Sequence, residues 1–130
     1  MKNGIDVSRW QGDIDWKNVR TDFCIIQAGY GREITQKDKC FEKNYAGCKA
    51  AGIPCGAYWY SYATSEEEAK KEAAVCIEVL KGKQFEYPIY YDVEEQRILS
   101  LGKDKVSAII KAFCGELEKA GYFVGLYMSA

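Results

Sequence analysis

The chain has 130 residues, with 18 Lys and Arg against 19 Asp and Glu for a formal charge of −1, and it contains six Cys and no His. This length predicts one domain with its own core, and the balanced charge argues against nucleic acid and membrane surfaces as partners. The absence of imidazole excludes Ser-His-Asp and Cys-His nucleophiles and His-ligated zinc. An enzyme with this sequence would have to use carboxylates and phenols.

Short apolar or aromatic segments alternate with helical patterns along the chain. Strands are predicted over 4–7, 23–28, 57–62, 89–93 and 123–128, and helices over 39–51, 65–80 and 103–120. The strand segments are apolar throughout rather than alternating, which predicts parallel strands buried on both faces. The regular alternation of strand and helix predicts an α/β fold with right-handed crossovers.

Five parallel strands fit either an open doubly wound sheet or part of a (β/α) barrel. The turn at 7–12 has no phosphate-binding glycine pattern, which favours the barrel. Barrel enzymes place their active sites at the C-terminal ends of the strands. The candidates there are Asp6, residues 27–30, residues 60–62, residues 92–95 and residues 127–129.

Two acids, Asp92 and Glu94, lie two residues apart at the end of a predicted strand, so both side chains project from the same face. Repulsion between close carboxylates raises one pKa, so one group keeps a proton as a general acid while the other stays ionised, as glycoside hydrolysis requires. Two alternatives stay open. Glu94 and Glu95 could begin a solvated loop, and Asp6 could cap the following turn.

The aromatic run at 58–62 would suit the apolar faces of sugars, although strand alternation allows only part of it, such as Tyr60 and Tyr62, to line one site. The six cysteines include no C-x-x-C pair and are predicted to be reduced structural thiols. Neither a metal nor another cofactor is expected.

Three segments resemble family 25 glycoside hydrolases, the Chalaropsis-type lysozymes: GIDVSRWQGDIDW at 4–16, FCIIQAGYG at 23–31 and YYDVE at 90–94. The resemblance implies an N-acetylmuramidase that cuts the β-1,4 bond between N-acetylmuramic acid and N-acetylglucosamine in peptidoglycan glycan strands.

The same resemblance assigns roles to individual residues. It implies Glu94 as the proton donor, Asp92 as the acid that assists at the anomeric carbon, and Asp6 as a further acid in the pocket. It also implies that the aromatic side chains of Tyr62 and Tyr127 contact sugar. Gln27, a further candidate for substrate binding, stands where many relatives carry Arg or Lys.

The family fold is a TIM-like barrel of the (β/α)5β3 type, and the chain is expected to form only its first five β/α units. We therefore expect one family 25 catalytic domain over 1–130 that lacks the last strands. The exposed edge of the fifth strand predicts a homo-oligomer or a complementing C-terminal segment.

The N-terminal sequence has no signal-peptide pattern, although the substrate is in the cell wall. A phage or prophage lysin fits both features, and export by a longer parent protein is the alternative. Two other functions also remain open. One is a catalytically silent peptidoglycan-binding fragment; the other, a chitinase-like hydrolase, is disfavoured because residues 88–90 are not acidic.

Overall fold

The computed structural model describes residues 2–128, so Ser129 of the candidate segment 127–129 lies outside the described residues. The strands are β1 Gly4–Val7, β2 Phe23–Tyr30, β3 Cys55–Tyr60, β4 Ile89–Val93 and β5 Val124–Met128, and the α-helices are α1 Phe41–Ala51, α2 Glu66–Leu80, α3 Gln96–Leu99 and α4 Lys103–Lys119. Short 3-10 turns lie at Arg9–Gln11, Trp16–Asn18 and Ile34–Gln36.

Local sequence signals explain where the long helices begin and end. The Ser65 hydroxyl accepts a hydrogen bond from the Glu68 backbone N–H at 3.2 Å, which caps α2. The carboxylate of Glu68 accepts hydrogen bonds from the backbone N–H and the hydroxyl of Thr64, and not from the backbone N–H of Ser65. Helix α1 ends at Gly52, whose φ of 70° lies in the left-handed region that glycine adopts without strain.

The strands form one parallel sheet in the order β1-β2-β3-β4-β5. Register partners bring Tyr60 of β3, Asp92 of β4 and Tyr127 of β5 side by side at the C-terminal end of the sheet. These features confirm the predicted α/β fold with parallel strands. Within residues 2–128, β1 and β5 are the two edge strands, and closure into a barrel stays a prediction.

The two faces of the sheet differ, which corrects the expectation that the strands are buried on both. One face packs under the helices and contributes the core residues Cys24, Ile26, Ala28, Cys55, Ala57, Trp59, Ile89, Tyr91 and Val93. The other face opens into a cavity. The prediction was wrong because tyrosines make the strands look apolar throughout. Tyr58, Tyr60 and Tyr90 lie on the open face, where they line the cavity.

Large aromatic side chains fill the core, and their polar groups form hydrogen bonds. Trp59 is fully buried, and its indole N–H donates to the carbonyl of Gly31 at 2.9 Å. Tyr91 stacks on Phe113 of α4 with ring centroids 3.8 Å apart. The six cysteines carry free thiols, and all except Cys114 are buried.

Candidate active site

A cavity of about 580 Å³ lies at the C-terminal end of the sheet. Its walls are formed by Asp6, Trp10, Ile25, Gln27, Tyr58, Tyr60, Tyr90, Asp92, Glu94 and Tyr127. Within β2, β3 and β4 these residues are two positions apart, as expected for side chains on one face of a strand. The strand periodicity therefore brings phenols, an amide and carboxyls together around a single concave surface.

The three predicted acids lie in this cavity at different depths. Asp92 is 8% exposed, Glu94 is half-buried and Asp6 is exposed at the end of β1. Glu94 thus faces the cavity instead of starting a solvated loop. The turn after β1 is capped by Ser8, whose hydroxyl accepts from the Trp10 backbone N–H, so Asp6 is not needed as a cap.

Asp92 lies beside a second carboxyl in the cavity, that of Glu94. Burial raises the pKa of Asp92 to about 8, with further contributions from a hydrogen bond to Glu94 and from the charges of Glu94 and Asp6. A hydrogen bond between two carboxyls requires one proton. Asp92 Oδ1 is buried and has no hydrogen-bond partner among the described residues. Asp92 therefore keeps a proton at neutral pH.

The predicted substrate-binding residues are divided between the cavity wall and its surroundings. Gln27, Tyr60 and Tyr127 line the cavity, whereas Tyr62 does not, because β3 ends at Tyr60 and the chain turns away. The Tyr62 ring lies beside that of Tyr60 with a centroid distance of 5.2 Å. The guanidinium of Arg97 is 5.3 Å from its centroid on another side.

Tyr60 is tied to a fourth carboxylate next to the pair. Its hydroxyl donates to Glu95 Oε2 at 2.6 Å. Burial and this hydrogen bond raise the pKa of Tyr60 above its usual range. Burial and the charge of Asp6 do the same for Tyr58. Both phenols therefore remain protonated. The Tyr58 hydroxyl is able to donate to a sugar oxygen, whereas the Tyr60 hydroxyl already donates to Glu95 and is left to accept.

Sequence reasoning missed four residues of the cavity wall: Trp10, Ile25, Tyr58 and Tyr90. Three of them could have been found by counting back two positions from Gln27, Tyr60 and Asp92. Trp10 is the exception, since it lies in the turn after β1 and is 79% exposed. The Arg9 guanidinium is 5.0 Å from its ring centroid.

Residues 2–128 include no group of three or more His, Cys, Asp or Glu side chains that could hold a metal ion. Over the same range, no helix combines the length and apolar character needed to cross a membrane.

Residues 5–130 match the family described as glycosyl hydrolases family 25. The chain belongs to this family. The family 25 chain is 33% identical over 106 residues to the uncharacterized protein YegX of Escherichia coli K12, a match that covers 75% of the chain and 38% of YegX. It is 43% identical over 61 residues to Lysozyme M1 of Streptomyces globisporus, covering 45% of the chain and 20% of that protein.

Among solved structures, the modular autolysin LytC of Streptococcus pneumoniae superposes on the family 25 chain with a TM-score of 0.85 and 34% identity. The superposition covers 98% of the chain and 32% of LytC. The chain thus spans about a third of LytC and about two fifths of YegX. The family inferred from the sequence motifs is confirmed.

Proposed function

We propose that this chain is the catalytic part of a peptidoglycan hydrolase, a lysozyme that hydrolyses the β-1,4 bond between N-acetylmuramic acid and N-acetylglucosamine. The observation that carries the proposal is the Asp92–Glu94 pair, two carboxyls that line one cavity together with phenols. Family membership and the similarity to an autolysin support it. LytC, in a structure with a synthetic peptidoglycan ligand, aligns with this chain at 33% identity and a TM-score of 0.85.

Proton transfer follows from the different depths of the two carboxyls. Glu94 is the outer group and reaches a glycosidic oxygen in the cavity, whereas Asp92 lies deeper. Glu94 donates a proton to the leaving oxygen as the bond from that oxygen to the anomeric carbon breaks, and Asp92 supplies that proton to Glu94. Both carboxyls are then ionised, and their charge stabilises the positive charge on the sugar.

The second half of the reaction restores the pair. Asp92 orients the 2-acetamido group of the substrate, whose oxygen assists at the anomeric carbon. Water then attacks that carbon as the acetamido oxygen leaves it, and one proton of the water passes to the pair through Glu94. Asp6 lies in the same cavity and adds negative charge where the positive charge develops. Gln27, Tyr60 and Tyr127 contribute hydrogen bonds and ring faces to the glycan, with Tyr62 beside them.

Release of reducing ends from purified peptidoglycan tests this function. We expect Glu94→Gln to lower the rate by about 10² to 10⁴-fold, the usual contribution of general acid catalysis. The matched control is Glu95→Gln, which removes the neighbouring carboxylate that accepts from Tyr60 outside the pair. New ends that are not muramic acid, or a Glu94→Gln variant as active as the wild type, would refute the assignment.

A second candidate function is a peptidoglycan-binding fragment without catalysis. The observation that favours it is the exposure of β5, whose Tyr127 lines the cavity and is yet 60% exposed. A chain of this kind would bind glycan without enclosing the scissile bond. Co-sedimentation with insoluble peptidoglycan, together with no release of reducing ends by a folded protein, would support it over the lysozyme.

The assembly of the protein is a further part of the proposal. Four apolar side chains at β5 are exposed: Phe123 at 85%, Leu126 at 45%, Tyr127 at 60% and Met128 at 42%. We propose that a second copy or a complementing segment pairs with this edge strand. A sedimentation mass equal to a single chain at micromolar concentration, with no added segment, would contradict it.

We place the action of the protein at the bacterial cell wall, where its proposed substrate lies, and propose a phage or prophage lysin as its origin. The autolysin and lysozyme relatives support a site of action in the wall. Lysis of bacteria by protein added from outside, compared with protein expressed inside the cells, tests this placement.

A further inference from the structure

A buried carboxyl lies behind the sheet, outside the cavity. Glu72 of α2 is 1% exposed. Its Oε1 accepts from the Ser61 hydroxyl at 2.9 Å and from the Tyr91 hydroxyl at 2.6 Å, and its Oε2 accepts from the Tyr62 backbone N–H at 2.8 Å. The Ser61 and Tyr91 hydroxyls are themselves 2.8 Å apart. Burying a carboxyl in a protein core costs free energy. The other buried residues of α2 are apolar, so the packing of this helix does not by itself require a carboxyl.

The groups that bind Glu72 belong to the ends of two neighbouring strands. Ser61 and Tyr62 directly follow β3, and Tyr91 lies in β4 immediately before Asp92. The Ser61 backbone N–H also donates to the carbonyl of Asp92 at 2.9 Å. Glu72 therefore connects the segment after β3 to the part of β4 that carries the proposed catalytic pair.

Strand alternation places this network directly behind the cavity. Tyr91 faces the helices, where it stacks on Phe113, while the next residue, Asp92, faces the cavity. In the same way, buried Ser61 follows Tyr60, which lines the cavity. A shift of the network would move the side chains on the open face, because both sets share the same backbone.

We propose that Glu72 is a positioning residue, which through Ser61, Tyr62 and Tyr91 sets the distance between the aromatic end of β3 and the carboxyl pair of β4. The inference rests on the proposed hydrolase function for its consequence in catalysis. The network fixes Tyr62 from the core, and Arg97 fixes it from the other side by donating to its carbonyl at 3.0 Å.

Three variants test the proposal. Glu72→Leu keeps the volume but removes every acceptor, Glu72→Gln keeps one carbonyl acceptor, and Val79→Ala opens a cavity in α2 away from the strand ends. Catalytic groups misplaced by about 1 Å lose about 100-fold in rate, so we expect a loss of this order in kcat/KM for the Leu variant. We expect kcat/KM of Glu72→Gln to be at least tenfold higher than that of Glu72→Leu. Val79→Ala keeps the wild-type kcat/KM despite a lower Tm.

A second readout is independent of activity. Carbon-13 labelling of aspartate carboxyls lets NMR follow the titration of Asp92 in the folded protein. We expect Glu72→Leu to move the pKa of Asp92 down toward its ordinary range, because displaced strand ends admit water to the buried carboxyl. Val79→Ala leaves it unchanged.

The outcomes separate the two proposals. Suppose that Glu72→Leu and Val79→Ala lose similar stability, and that both keep the wild-type kcat/KM and the wild-type pKa of Asp92. Glu72 is then only structural, and the proposal is overturned. If the wild type releases no reducing ends, the hydrolase function fails, and the titration alone decides the role of Glu72. A shifted Asp92 titration in the Leu variant then supports positioning, and an unshifted one refutes it.

Discussion

Replacing Asp92 by Asn is expected to stabilise the protein at neutral pH. Burial and the nearby Glu94 raise the pKa of Asp92 from 3.8 to about 8. Between these two values the folded state holds a proton that the unfolded state has lost. The free energy of unfolding therefore falls as pH rises from about 4 to about 8, and is no longer affected by this group above that range. Asn removes the titrating group and so removes this loss.

The magnitude follows from the same values. One pH unit across this interval is worth about 1.4 kcal/mol, so at pH 7, about three units above 3.8, the contribution reaches at most about 4 kcal/mol. A chain of 130 residues gains about 4 °C in Tm for each kcal/mol. We expect a gain of at least 1 kcal/mol at pH 7.5 that disappears near pH 4, where wild-type Asp92 is already protonated.

Urea unfolding of the wild type and Asp92→Asn from pH 4 to pH 8.5 measures this difference. The control is Asp38→Asn, because Asp38 is also buried but accepts from the Cys40 and Arg9 backbone N–H groups at 2.8 and 3.0 Å. That variant loses about 1–3 kcal/mol, since the Asn amide cannot accept both bonds. An Asp92→Asn variant no more stable than the wild type at pH 7.5 would refute the electrostatic reasoning.

Three other substitutions test separate parts of the structure. Trp10→Ala removes an exposed ring from the cavity wall, so we expect a higher KM for peptidoglycan with an unchanged Tm. Tyr60→Phe removes the 2.6 Å hydrogen bond to Glu95, and kinetics should show a fall of about fivefold in kcat/KM, equivalent to about 1 kcal/mol. Gly29→Ala would place a Cβ 2.7 Å from the Trp59 ring, and denaturant unfolding should show a loss of about 2 kcal/mol.

The sequence predicted the strands well because a parallel sheet needs apolar segments on the side that faces the helices. It also located Asp92 and Glu94, since the end of a strand and a spacing of two residues define both their place and their common face. The prediction for Tyr62 was less accurate. Strand β3 starts at Cys55 and ends at Tyr60, two residues earlier at each end than the apolar run indicates.

Glu72 shows why part of the site could not be predicted. It stands among charged residues of an amphipathic helix, where Glu is ordinarily solvent-exposed. Its burial depends on donors from Ser61, Tyr62 and Tyr91, which the fold brings from other elements. No local pattern encodes such partners.

Glu72 and Asp92 are buried on opposite faces of the sheet, and they differ in how their burial is compensated. Glu72 accepts three hydrogen bonds, which offset part of the burial that raises its pKa. Asp92 has a buried oxygen that receives no hydrogen bond from any residue between 2 and 128, and its neighbour is a carboxyl instead of a cation. Such a group is stabilised only by keeping a proton or by facing a positive charge. In the proposed reaction, glycoside cleavage supplies that charge at the anomeric carbon, so the arrangement that destabilises the free protein would stabilise the transition state.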